Sequence, residues 1–190
     1  MKILGIEGSP RKEGNTEKLV QQILKGAADT GCQSHFIKLA TLNIEHCTGC
    51  GSCRATGECV LTDDMDTVYN AIQDSNVIVI GSPVYAWQVS GITKDFMDRL
   101  CRLLTQDYQS RLSGPKKIAF AYTQGNPDPR LFREYFDYQE KVYAFLGFTL
   151  AGRIQGAGTR AKDDILSHTD VLQQAASLGR ELVAGDNAAA

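Results

Sequence analysis

An α/β domain on a doubly wound parallel sheet, with helices on both faces, is what the apolar pattern of this chain predicts. Two observations carry that prediction. Five short apolar runs alternate with longer amphipathic stretches along 190 residues. One of those runs, Val77-Ile78-Val79-Ile80, is continuously β-branched, as a strand buried on both faces should be. A strand followed by a helix, five times over, implies crossover connections and a parallel sheet.

Each element has its own warrant. Residues 2–6 read as the first strand. Residues 16–28 read as a helix, because Leu19, Val20, Ile23, Leu24 and Ala27 recur at helical spacing. A second strand, 34–39, leads into a cysteine-rich loop at 41–64. A short helix at 65–73 precedes the third strand, 77–80. Ile92, Phe96, Leu100 and Leu103 mark one face of the next helix, leaving Arg99 and Arg102 as its solvated face. Residues 118–122 form a fourth strand, 131–146 an aromatic-rich helix, 148–154 a fifth strand and 163–183 a closing helix. The chain reads as a single domain over 1–183, with 184–190 a frayed tail.

Composition narrows the function. Net charge is −2, without the basic excess of a nucleic-acid binder. No apolar stretch approaches membrane-spanning length, and Ile3-Leu4-Gly5-Ile6 is too short for a signal peptide. The expectation is a soluble, cytoplasmic protein with its thiols reduced, and with no nucleic-acid or membrane partner.

Four cysteines, Cys47, Cys50, Cys53 and Cys59, fall within thirteen residues of a glycine-rich loop. The spacing C-x2-C-x2-C can turn three sulfurs toward one point, as an iron–sulfur cluster requires. Inert thiols usually occur singly on strands and helices. Structural zinc prefers two C-x2-C knuckles separated by a longer spacer, and nothing indicates an oxidising compartment for disulfides. A cluster is the favoured reading, with these three left open. Cys59 is its least regular ligand, because five residues precede it and no proline follows.

Ligands of doubly wound sheets bind at the carboxyl ends of the strands. The loop after the first strand, Gly8-Ser9-Pro10-Arg11-Lys12-Glu13-Gly14-Asn15-Thr16, offers two hydroxyls, an amide, a guanidinium and the bare amides of a helix start. That set suits a phosphate, although the same residues also serve as ordinary caps. Asn15 stands where a P-loop needs lysine, so a monophosphate fits better than a triphosphate. Gly81-Ser82-Pro83-Val84-Tyr85 reads as a proline-stiffened turn. Its backbone could hold a planar ring, with Tyr85 or Trp87 packed beside it. Thr123-Gln124-Gly125, after the fourth strand, could grip the other edge of such a ring.

These stretches, with Ser90-Gly91-Ile92-Thr93-Lys94-Asp95-Phe96-Met97-Asp98-Arg99, resemble the NADPH-dependent FMN reductase family of flavodoxin-like proteins. The cysteine loop followed by Asp63-Asp64-Met65 resembles its iron–sulfur flavoprotein branch. The likeness is close over roughly residues 1–125. It implies a flavodoxin-like five-stranded parallel sheet in the order 2-1-3-4-5, noncovalent FMN and an FMN-dependent oxidoreductase acting between a reduced donor and an acceptor, each a protein or a small molecule. It also implies a homo-oligomer, dimer or tetramer. Carried over by residue, Ser9, Arg11, Asn15 and Thr16 would hold the FMN phosphate, and Pro83, Val84 and Tyr85 would line the isoalloxazine, with Thr123, Gln124 and Gly125 closing over it. Cys47, Cys50, Cys53 and Cys59 would ligate a [4Fe-4S] cluster. Competing readings are an NAD(P)H-dependent FMN or quinone reductase without a cluster, a zinc-binding interaction module, and a regulator that binds FMN without turnover.

Other features read as structural. Gly156-Ala157-Gly158-Thr159-Arg160-Ala161 imitates a dinucleotide fingerprint, but no further strand follows to complete the unit. His35, His168, Cys32 and Cys101 have no recognisable catalytic partner, whereas His46 adjoins Cys47 and could tune a cluster. Flavin chemistry needs no protein acid or base, so no catalytic residue is assigned. Phe132, Tyr135, Phe136, Tyr138, Tyr143 and Phe145 cover more than one face of their helix, which independently suggests a subunit interface.

Overall fold

The computed structural model describes residues 1–184. Of the expected tail, Ala184 closes the last helix and 185–190 lie outside the described residues. The elements are β1 (Lys2–Glu7), α1 (Asn15–Ala28), β2 (Gln33–Lys38), α2 (Ser52–Thr56), α3 (Met65–Asp74), β3 (Val77–Tyr85), β4 (Gln88–Val89), α4 (Gly91–Arg99), β5 (Lys117–Gln124), α5 (Arg133–Phe145), β6 (Thr149–Ala157) and α6 (Thr169–Ala184). Five strands pair in parallel in the order β2-β1-β3-β5-β6. Counting the parallel strands alone, this is the flavodoxin-like 2-1-3-4-5 arrangement.

Strand side chains alternate between two cores, because successive residues of a strand point to opposite faces. Ile3, Val77, Val79, Ala119 and Ala121 face α1 and α6, while Leu4, Ile78, Ile80, Ile118, Phe120 and Tyr122 face the other side. Small residues on the first face let two helices approach closely. α1 and α6 meet at Gly26 and Gly179, where a Cβ would come within 2.0 Å of the Ala176 and Ile23 carbonyl oxygens, respectively. On the second face bulky residues fill the space beneath α3, α4 and α5, with Tyr122 stacked on Phe136 at 4.0 Å between centroids.

Three elements differ from the sequence expectation. Residues 81–85 are not a turn, because β3 runs on through them to Tyr85. β1 pairs with β3 as far as Gly81, whereas β5 pairs as far as Pro83. Pro83 therefore has one parallel neighbour, an edge-like setting that tolerates proline. The turn falls instead at Ala86 and Trp87, which link β3 to the antiparallel β4 with φ of 45° and 66°. Those are the left-handed angles of a tight two-residue hairpin, normally taken by Asn-Gly, and neither Ala86 nor Trp87 signals such a turn. The closing helix is split, with a 3-10 turn at Asp164–Ser167 ahead of α6.

The register puts Glu7 opposite Gly81 and Pro83 opposite Thr123. β1, β3 and β5 thus end along one edge, and the loops that leave them converge.

Candidate functional site

A cavity of about 210 Å³ lies at that edge, lined by Ser9, Arg11, Asn15, Thr16, Pro83, Val84, Tyr85, Thr123, Gln124 and Gly125, together with Thr159 and Arg160. The structure therefore brings together all ten residues singled out in the three loops. Thr159 and Arg160 come from the glycine-rich segment read above as a simple turn. Their position corrects that reading, since the segment closes the cavity wall although it forms no dinucleotide-binding unit. Arg160 supplies a second guanidinium beside Arg11.

The wall is tied by its own side chains. Arg11 Nη1 donates to the Arg160 carbonyl at 2.7 Å, and Arg160 Nε donates to the Gly125 carbonyl at 2.8 Å. Thr16 and Thr123 share a hydrogen bond of 2.6 Å. Asn15 Nδ2 donates to the Ala161 carbonyl, and its Oδ1 accepts from the Ile165 amide. Gln124 Nε2 donates to the carbonyls of Asn126 and Asp128, while its Oε1 accepts from Gln155. Asn15 and Gln124 are thus spent on holding the wall, and their side chains are not free donors. What stays open to an anion is the first turn of α1, which no side chain caps, and the remaining guanidinium nitrogens. Uncapped amides at a helix start, with two arginines nearby, form a site for a phosphate group.

Glu7 lies directly beneath this loop and is fully buried. Its Oε1 accepts from the Ser9 amide at 2.8 Å, while Oε2 has no hydrogen-bond partner. Lys38 Nζ is 3.8 Å from Glu7 and 2.5 Å from Glu17, so one ammonium serves two carboxylates. Burial pushes the Glu7 carboxyl up to about 7 against the opposing pull of the Ser9 amide and Lys38. The sequence reading did not single out Glu7, and a carboxylate ending an apolar strand was the available signal.

A second cavity, also about 210 Å³, is lined by Cys47, Cys50, Cys53 and Cys59, and by Cys101. Gly51 and Gly57, both left-handed at φ of 74° and 83°, bracket α2 and turn its ends sharply. Burial raises the Cys53 and Cys101 thiols, whereas the Ser52 amide lowers Cys50. Among the described residues, no three His, Cys, Asp or Glu side chains are placed to hold a single metal ion.

Arginines fasten this loop to the domain, which corrects their reading as a solvated face. Arg99 and Asp63 are each 1% exposed at the side chain. Arg99 Nη1 and Nη2 donate to the two Asp63 oxygens at 2.6 and 3.1 Å, and Nη1 also donates to the Glu45 carbonyl. Burial alone would raise the Asp63 carboxyl, but Arg99 and the amides of Glu45 and Met65 outweigh it and hold it low. Arg102 Nε donates to the Gly57 carbonyl and Nη1 pairs with Asp66. His46, beside Cys47, is turned to Asp95 at 2.8 Å.

A third cavity adjoins the first and shares Val84, Gln124 and Gly125 with it; Trp87, Leu131 and Phe132 complete its apolar side. No helix among the described residues is long and apolar enough to cross a membrane.

Comparison with known proteins places this geometry. The family model described as NADPH-dependent FMN reductase matches residues 1–188. An iron-sulfur flavoprotein of Archaeoglobus fulgidus is 34% identical over 158 residues, covering 83% of this chain and 69% of the relative. The iron-sulfur flavoprotein MJ1083 of Methanocaldococcus jannaschii is 42% identical over 99 residues, but that match covers 52% of this chain and about half, 51%, of the relative. Among solved structures, a flavone reductase superposes with a TM-score of 0.76 at 22% identity, over 96% of this chain and 62% of that one.

Proposed function

The chain belongs to the NADPH-dependent FMN reductase family and is an FMN-dependent oxidoreductase; on that premise we propose that it moves electrons between a reduced donor and an acceptor through FMN and a [4Fe-4S] cluster. FMN supplies the redox chemistry when bound, and the protein supplies position and electrostatics. Ser9, Arg11 and the open amides of Asn15 and Thr16 take the phosphate. Arg160 adds positive charge at the same wall. Pro83, Val84 and Tyr85 on one side, and Thr123, Gln124 and Gly125 on the other, hold the ring and keep water from it. The observation that carries this reading is the meeting, around one cavity beside an uncapped helix start, of ten residues from the carboxyl ends of β3 and β5 and from the segments that follow β1 and β5.

The cluster takes Cys47, Cys50, Cys53 and Cys59. Supporting it are the cavity that these four cysteines share and the printed names of the two iron-sulfur flavoprotein relatives. All six cysteines are free, which fits a reducing compartment such as the cytoplasm. Tyr138 and Phe145 are 65% and 58% exposed on α5, and a second copy of the chain covering them would account for the aromatic excess there.

Anaerobic purification followed by quantitation of flavin, iron and acid-labile sulfide tests the reading. One FMN and about four irons per chain are expected. Protein that takes up no FMN at micromolar concentration would overturn it. The second reading, reduction by NAD(P)H without a cluster, draws on the family description. It predicts stopped-flow reduction of bound flavin by NADH or NADPH in protein free of iron.

A further inference from the structure

We propose that Cys101 is an alternative fourth ligand of the cysteine site, able to replace Cys59; this rests on the cluster reading above. Four thiolates complete the ligation of a cubane cluster, and five of the chain's six cysteines line this one cavity. The surplus thiol does not belong to the loop. Cys101 sits in the 3-10 turn Leu100–Leu103 that continues α4, and its neighbours Leu100 and Leu103 are 1% and 2% exposed, fixed in the core. It is therefore mounted on the body of the domain, whereas the other four ride on the insertion.

The two arginines on either side of Cys101, Arg99 and Arg102, explain why the loop meets it. Arg99 holds Asp63 and Arg102 holds the Gly57 carbonyl, so the segment carrying Cys59 is clamped on both sides of that cysteine. The clamped segment and the turn thus bring Cys59 and Cys101 to the same cavity. Cys59 is also the thiol with the least regular spacing, separated from Cys53 by five residues. With Cys47, Cys50 and Cys53 as three ligands of the cluster, the fourth would come from either Cys59 or Cys101, both in the lining of the same cavity.

The test compares Cys59→Ser, Cys101→Ser and the double variant, each purified anaerobically and reconstituted with ferrous iron and sulfide. Iron, acid-labile sulfide and charge-transfer absorption are measured per bound FMN, so that flavin occupancy reports folding in every sample. Cys101→Ser should match wild type. Cys59→Ser should keep more than half of the wild-type iron, with a shifted spectrum, and the double variant should fall at least fivefold below either single variant. Equal loss in Cys59→Ser and the double variant would overturn the inference while leaving the cluster reading intact. Loss in Cys101→Ser alone would overturn it too, by making Cys101 obligatory. Wild type without iron and sulfide after reconstitution would remove the parent reading as well, and is told apart from the other failures by that sample alone.

Discussion

The two cavities are held in shape by different means. The first lies where β1, β3 and β5 end together, so sheet register fixes the distance between its walls, and local hydrogen bonds such as Thr16 to Thr123 only trim it. The second lies in an insertion whose one helix is five residues long. Its shape depends on side chains reaching across from α4 and the turn after it, chiefly Arg99 and Arg102. A pocket on strand ends shares the stability of the whole sheet, whereas a pocket on a clamped loop is as secure as its clamps. The flavin-type site and the thiol site should therefore fail separately.

Removing the main clamp should have the largest effect. Arg99→Met leaves Asp63 charged and buried, which costs about 3–5 kcal/mol. Urea unfolding should show that loss, and limited proteolysis should cut first within residues 42–64. Iron content should fall with the loop, while FMN affinity stays within about threefold of wild type. A parallel fall in FMN affinity would break the comparison by showing that the sites share one support. The pair also sets a pH dependence. Asp63 is held low in the folded chain, so its contribution is present above the unfolded carboxylate range and is lost as pH falls through the folded value.

The reverse experiment acts on the first cavity. Arg11→Gln should weaken FMN binding about 10–100-fold, matching about 1.5–3 kcal/mol for a hydrogen bond to a charged group. Riboflavin, which has no phosphate, should bind the variant and wild type alike. Iron content should not change. If riboflavin binding fell equally, Arg11 would be holding the wall through its bond to the Arg160 carbonyl and not the phosphate.

The same contrast explains what could be read from the sequence. Strand order and the three site loops were legible because they follow from periodicity and from residues placed next to strand ends. Val77 to Ile80 and the Gly8 to Thr16 loop carry their roles locally. Arg99 could not be read that way. Its spacing puts it on a helix face that is ordinarily wet, and only the return of the loop through Asp63 buries it. Cys101 was unplaced for the same reason, since the other residues of its cavity lie 40 or more residues away in sequence. Thr159 and Arg160 were set aside because their motif failed as a dinucleotide fingerprint, although the same turn returns to the strand ends. The Ala86–Trp87 turn lacks every usual hairpin residue, so its position depended on the pairing of Tyr85 with Gln88.

A smaller effect should come from Glu7, the last residue of β1, which lies beneath the loop that lines the first cavity without forming part of its wall. Its folded carboxyl titrates at about 7, above the unfolded range near 4.3. The folded state therefore holds the proton more tightly, and stability falls as pH rises from about 4.5 to 7. The loss is of order 3 kcal/mol. Glu7→Gln keeps an acceptor for the Ser9 amide and has no proton to lose. Its unfolding free energy should change less between pH 5 and pH 8 than that of wild type, and it should be the more stable of the two at pH 8. An FMN phosphate bound nearby adds negative charge, so wild-type FMN affinity should decline between pH 6.5 and 8.5, whereas that of Glu7→Gln stays level. Identical pH profiles would mean that Lys38 keeps the carboxylate charged throughout.

The smallest effect separates register from local strain within the first cavity itself. Ala86 and Trp87 hold left-handed angles that cost a non-glycine residue about 1–2 kcal/mol each. Ala86→Gly removes that cost but adds backbone freedom to the unfolded chain. The net gain should be about 0.5–1 kcal/mol, or a rise of roughly 2–4 °C in Tm. Trp87 is 74% exposed and sits on this turn beside the third cavity, so the glycine variant should loosen it and lower its fluorescence anisotropy. FMN affinity should be unchanged, because Pro83 and Thr123 keep their pairing. A fall in Tm would show that the Ala86 methyl makes contacts worth more than the strain. A fall in FMN affinity would show that the hairpin, and not the sheet register, sets the position of Val84 and Tyr85.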